Sequence, residues 1–155
     1  MYQINIQYAT EKKLTPSASL LRTWAKHALS EQLKSAEITI RIVDIAEMTE
    51  LNQHYRHKNG PTNVLSFPFE LPKEIVLDMP ILGDIVICPD VVNREAIEQH
   101  KTQKAHWAHM IIHGIFHLQG YDHETDEEAE VMETLEIQTM KKLGFANPYD
   151  LNKET

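Results

Sequence analysis

The sequence predicts an α+β fold: a small mixed β-sheet of about four strands with about five helices. Three observations carry this reading. Apolar residues alternating at period two concentrate in the first ninety positions, helical spacing behind capping residues dominates the remainder, and 155 residues at 42% hydrophobic and 25% charged are enough to bury a core. Residues 1–155 are therefore expected to form a single domain.

Taken in order, YQINIQY at 2–8 alternates Ile4 and Ile6 with polar neighbours and reads as a strand. Thr15 and Ser17 offer N-caps to a helix near 17–30, with Leu20, Leu21, Trp24, Ala25 and Ala28 at helical spacing. EITIRIV at 37–43 is a second strand, and Asp44 caps a short helix over 46–55. RHKNGPTN is a loop, VLSFPF a third strand ended by prolines, and ILGDIVIC at 81–88 a fourth. ELPKEIVLDMP between them predicts no element. Asp90 is expected to cap a helix to about His100, and Thr102 another that runs through Ile112 and Phe116 to Gly120. Thr125 with Glu128 makes a capping box for a last helix, closed by Lys141, Lys142 and Gly144.

Composition excludes several classes. MYQINIQYATEKK has no apolar signal-peptide core and no later stretch reaches the roughly 20 apolar residues of a membrane span, so a soluble, cytoplasmic protein is expected. Cys88 is the only cysteine, which rules out an internal disulfide and a cysteine-based metal cluster. The formal charge of −8 speaks at first against nucleic acid. Yet seven of the 23 acids lie in ETDEEAEVMETLE at 124–136, leaving the rest nearly balanced by 15 Lys and Arg. That run reads as a solvated helix face.

The most informative stretch is HGIFHLQGYDH, 113–123. His113 and His117, four apart on a helix, project from one face with Cβ atoms about 5–6 Å apart, which suits two ligands of one ion. Zinc binds imidazole nitrogen at about 2.0–2.1 Å and favours tetrahedral geometry, so a third ligand must approach from off the helix. Gly120 allows it: as the residue just past the helix it adopts a left-handed conformation and turns His123 back toward the pair. Three histidines leave the fourth position open, as catalytic zinc sites do. Asp122 and Tyr121 are candidate partners of the ligands, whereas His106 and His109 read as packed residues rather than ligands. The spacing is that of HExxHxxGxxH, but Gly114 stands where a metalloprotease has its general base. A glycine there costs the helix about 1 kcal/mol against alanine, so it is expected to give either room above the metal or close packing below it.

HGIFHLQGYDH, with YRHKNGPTNVLSFPFE at 55–70 and LGDIVIC at 82–88, resembles the YbeY family of bacterial endoribonucleases, also called rRNA maturation factors. The likeness runs from about residue 36 to the C-terminus; the first strand and helix match in arrangement more than in wording. The resemblance implies one zinc ion on His113, His117 and His123, other divalent metals not being excluded. It also implies cleavage of single-stranded RNA, with roles in 16S rRNA 3′-end maturation, ribosome assembly and 70S quality control. Single-stranded RNA and rRNA, the small ribosomal subunit and assembly GTPases are the implied partners.

The family's essential arginine maps onto Arg56, where a guanidinium is chemically suited to charge building on phosphodiester oxygens. Lys58 offers a weaker phosphate contact. Many relatives read TDVLSF where this chain has TNVLSF, so Asn63 leaves no carboxylate there to act as base. Two rival readings stay open: a noncatalytic ribosome-assembly factor with a structural zinc, and a zinc metallopeptidase lacking the usual glutamate.

Overall fold

The computed structural model describes residues 1–11, 15–72, 74–75, 77 and 79–150. Its elements are β1 (Tyr2–Tyr8), α1 (Ala18–Ala28), β2 (Ala36–Ile42), α2 (Ile45–Arg56), β3 (Val64–Pro68), β4 (Ile81–Ile87), α3 (Pro89–Glu98), α4 (Gln103–Leu118) and α5 (Asp126–Lys142). Four strands and five helices are the number and order expected. The described residues of 70–80 form no helix or strand, in keeping with the absence of a pattern there.

The sheet is mixed, in the order β1-β2-β4-β3. β1, β2 and β4 run parallel, and β3 pairs antiparallel with β4. The register stacks like with like: Ile4 beside Ile38, Ile6 beside Ile40, Ile40 beside Ile85 and Ile42 beside Ile87. Aligned isoleucines make an apolar face that must be covered. Leu21 and Trp24 of α1 with Trp107, Ile111, Ile112 and Ile115 of α4 cover it and complete the main core. The opposite face carries a smaller cluster of Val43, Met48, Leu65, Val86, Cys88 and Val91, under α2 and the start of α3.

Caps fall largely where side-chain chemistry puts them. Ser17 Oγ accepts from Leu20 N–H at 3.2 Å, Asp44 Oδ1 from Glu47 N–H at 2.8 Å, and Thr102 Oγ1 from Ala105 N–H at 3.1 Å. Thr125 and Glu128 form the reciprocal capping box. The cap expected of Asp90 is a correction: α3 begins two residues earlier than that cap implies, at Pro89, with Cys88 as N-cap and no side-chain bond. Proline is suited to the first helical position because its missing N–H has no partner there anyway, which leaves Asp90 in the first turn beside the positive end of the helix dipole.

α4 positions the functional residues. It packs against α1, α3, α5, β3 and β4, and is buried nearly all round, as a central helix must be to keep so many apolar residues from water. Its close approach to the sheet explains Gly114. A Cβ there would meet Ile85 Cδ1, Cγ2 and Cγ1 at 3.0, 3.2 and 3.3 Å. Of the two roles anticipated for this glycine, the geometry supports close packing below the histidines.

Gly114→Ala is expected to lower the unfolding free energy, since overpacking against a fully buried isoleucine costs about 1–3 kcal/mol and outweighs the ~1 kcal/mol gained in helix propensity. Adding Ile85→Val removes the nearest methyl, so the double variant should lose less than the sum of the singles. Urea unfolding of all four proteins measures that coupling.

Candidate metal centre

The end of α4 brings the three predicted histidines together. Gln119 caps the helix and Gly120 takes φ 98°, outside the range that favours a side chain. Gly120 N–H then donates to His117 O at 3.0 Å and Tyr121 N–H to Phe116 O at 3.1 Å, the paired bonds of a Schellman turn. The Phe116 and Tyr121 rings pack edge-on at 5.5 Å across it, adding the apolar contact such turns use. Gln119 anchors the corner to the end of α1, with Nε2 donating to Ala28 O at 2.7 Å and Oε1 accepting from Ser30 N–H at 2.8 Å. His123, whose N–H donates to Asp122 Oδ1 at 2.8 Å, is thereby returned to the helix. Its ring centroid lies 5.7 Å from that of His113 and 5.2 Å from that of His117, and the three residues' ligand atoms lie within 4.8 Å of one another.

Hydrogen bonds decide which nitrogens face inward. His117 Nδ1 lies 3.0 Å from Tyr121 O, a carbonyl that can only accept, so Nδ1 carries the proton. His113 Nδ1 donates to Glu136 Oε2 at 2.9 Å. With both Nδ1 atoms committed, the Nε2 atoms present lone pairs to each other at 3.1 Å. Two lone pairs that close repel unless a cation lies between them. Imidazoles bound at about 2.0–2.1 Å in a tetrahedron would hold their nitrogens roughly 3.3 Å apart, close to what is seen. Burial, then the neighbouring His113 and His123, push the His117 pKa down, which keeps its ring neutral and available as a ligand. The residues present fit a metal ion that takes imidazole nitrogen.

Glu136 is the residue sequence reasoning missed. Glu124, Asp126, Glu127, Glu128 and Glu130 are exposed as a solvated run should be, but Glu136, the last acid of the run, is 0% exposed. Its Oε2 accepts from His113, and its Oε1 accepts from His109 Nε2–H at 2.6 Å and from the Tyr149 hydroxyl. Burial alone would raise its pKa; the bonds from His109 and His113 override that and bring it to about 2, so the carboxylate is ionised. Burial, with the carboxylate alongside, pushes the Tyr149 hydroxyl up and keeps it a donor. The signal was present in the spacing: Glu136 shares a helix face with Met132, Thr139 and Met140, all buried. His109, His113 and Glu136 are also close enough to hold an ion, but their separations are those of N–H to carboxylate hydrogen bonds, which account for the group without one. His109 is packed, as expected, and burial pushes its pKa down despite Glu136.

A family model described as Endoribonuclease YbeY matches residues 4–144. The chain belongs to this family. A YbeY protein of Nitrosococcus oceani, named Endoribonuclease YbeY, is 50% identical over 147 residues, which cover 95% of this chain and 96% of that one. The solution structure of TM1509 from Thermotoga maritima is similar at TM-score 0.57 and 26% identity, covering 99% of this chain and 97% of the other. The YbeY match takes in the first strand and helix, where the resemblance in wording was weakest.

Arg56 and Lys58, the two cations predicted from the family pattern, lie at the end of α2 and in the loop that follows it. Arg56 is the exposed last residue of α2 and forms no ion pair among the described residues; exposed Lys58 follows the left-handed C-cap His57. No hydrogen bond or ion pair joins either to the histidines. Packing links them indirectly: the Tyr55 ring meets Phe67 of β3 at 5.0 Å, and neighbouring Ser66 Oγ donates to Gly114 O at 3.2 Å. Asn63 is used as a donor, its Nδ2 lying 3.0 and 3.3 Å from the oxygens of Glu95, which also accepts from His106 Nε2–H at 2.9 Å. Burial would raise the Glu95 pKa, but His106 and Asn63 hold it below the usual carboxylate value.

Because the folded-state pKa of Glu95 is lowered, its contribution to stability is present above its unfolded-state pKa and lost as pH falls through the folded value. Asn63→Asp replaces a donor with a second carboxylate. It should cost about 1–3 kcal/mol at neutral pH, and the deficit should shrink at mildly acidic pH as one of the pair takes a proton. Urea unfolding across that range measures both.

Proposed function

We propose that the protein is a zinc-dependent, single-strand-specific endoribonuclease acting in 16S rRNA 3′-end maturation, ribosome assembly and 70S ribosome quality control in the cytoplasm. Membership of the YbeY family supports RNA cleavage, and the converging Nε2 lone pairs of His113 and His117 beside His123 are the observation that carries the metal dependence. Among the described residues no helix is long and apolar enough to cross a membrane. Single-stranded rRNA, the small ribosomal subunit and assembly GTPases are its proposed partners.

His113, His117 and His123 hold the zinc ion, which when bound supplies Lewis acidity to water or to a phosphoryl oxygen. Glu136 and the Tyr121 carbonyl fix the rings of His113 and His117 through their Nδ1 protons. Arg56, exposed and without an ion-pair partner among the described residues, binds the non-bridging oxygens of the scissile phosphodiester, where charge builds as the bond breaks. Lys58 contacts a flanking phosphate. Glu136 does not serve as the base, because its two oxygens already accept three hydrogen bonds and it is shut off from solvent. Gly114 supplies no carboxylate either, so the proton passes to substrate phosphate or to bulk water. That same absence weakens the peptidase reading, and three ligands with an open fourth position suit catalysis better than a purely structural ion.

Zinc-loaded wild type should cleave a labelled single-stranded RNA that ends in the 3′ region of 16S rRNA. His117→Ala should lose both zinc and cleavage. Arg56→Ala should keep zinc and lose about 10²–10³-fold in rate, the usual cost of removing a donor to developing charge. Equal cleavage by all three would indicate a contaminating nuclease, and no cleavage by any would favour a noncatalytic assembly factor.

A further inference from the structure

The Glu136 carboxylate reaches beyond the two long helices. Residues 146–150 follow α5 and fold back over it: Lys101 Nζ donates to Pro148 O at 2.7 Å, Tyr149 N–H to Asn147 Oδ1 at 2.8 Å and Asp150 N–H to Asn147 O at 3.3 Å. Pro148 is buried in this turn. The Tyr149 ring meets His109 edge-on at 5.2 Å, and its hydroxyl donates to Glu136 Oε1, the same oxygen that His109 Nε2–H reaches at 2.6 Å. The other oxygen, Oε2, takes the His113 proton at 2.9 Å. Tyr149 lies five residues past the stretch the family model matches.

We propose that Tyr149 is a positioning residue for the metal centre, holding Glu136 in the rotamer that fixes the His113 ring. The physical reason is the small number of constraints on a carboxylate. One hydrogen bond leaves it free to rotate about its last torsion, whereas donors on both oxygens from three different directions do not. His113 can keep Nε2 aimed at His117 and His123 only if the acceptor on its far side stays put. The C-terminal turn thus adjusts metal affinity from outside the ligand set. This inference rests on the metal-binding reading above.

The test is zinc affinity, measured by competition with a chromophoric chelator, alongside thermal melting of the metal-free proteins. Tyr149→Phe keeps the ring against His109 and removes only the hydroxyl. It should weaken zinc about 3- to 10-fold, while Glu136→Gln should weaken it about 10- to 100-fold, as expected for a group hydrogen-bonded directly to a ligand. A purely structural tyrosine would lower metal-free melting and leave affinity unchanged. Zinc affinity of Tyr149→Phe within about twofold of wild type, with Glu136→Gln weakened, would overturn the role of Tyr149. Unchanged affinity in both variants would overturn the whole chain of positioning. A wild type that binds no zinc would overturn the metal reading itself.

Discussion

A carboxylate with no exposure to water has to be surrounded by donors, and the three donors around Glu136 come from two parts of the chain. His109 and His113 reach it from α4, one turn apart, and Tyr149 from the residues after α5. Breaking one partner of such a group leaves charge buried and under-satisfied, which costs far more than a surface ion pair returns. The contact therefore locks α4 to α5 in register and sets the orientation of His113. His117 has a simpler anchor, since its acceptor is the carbonyl four residues on and is supplied by the Schellman turn itself. One histidine is oriented by tertiary structure and the other by local backbone geometry.

The same division runs through the support beneath the site. Gly114 lets α4 settle on Ile85, and its carbonyl is caught by Ser66 Oγ on β3. The sheet thus fixes the height of the helix, and Gln119 fixes its end against α1. A candidate metal site on a packed helix and a tightly bonded turn has its histidines held in place without an ion, which would reduce the ordering cost of binding one.

Charge is arranged with similar economy. The exposed acids at the start of α5 lie in its first turns, where they complement the helix dipole. Arg56 closes α2 with its guanidinium left in solvent. A cation without an ion-pair partner among the described residues of an acidic protein has its charge available to an anionic ligand, and long-range repulsion from the acidic helix is screened beyond roughly 8–10 Å at physiological salt.

Much of this was determined by sequence alone, because the deciding forces act within a few residues. Period-two isoleucines make strands, Ser17, Asp44, Thr102 and Thr125 cap helices, and His113, His117, Gly120 and His123 specify a site through helix geometry and one left-handed residue. Pro89 shows the limit of even local reading: it took the first helical position and left Asp90 no capping role. Tertiary structure alone decided which way Gly114 faces, that Asn63 donates to Glu95 and that the Tyr149 hydroxyl reaches Glu136. It also chose one acid out of a run of seven for burial. Each of these depends on a partner distant in sequence, between 13 and 48 residues away in the hydrogen bonds that define them. Composition and periodicity measure how a residue relates to its neighbours along the chain, and carry no record of what folding brings across from the other side.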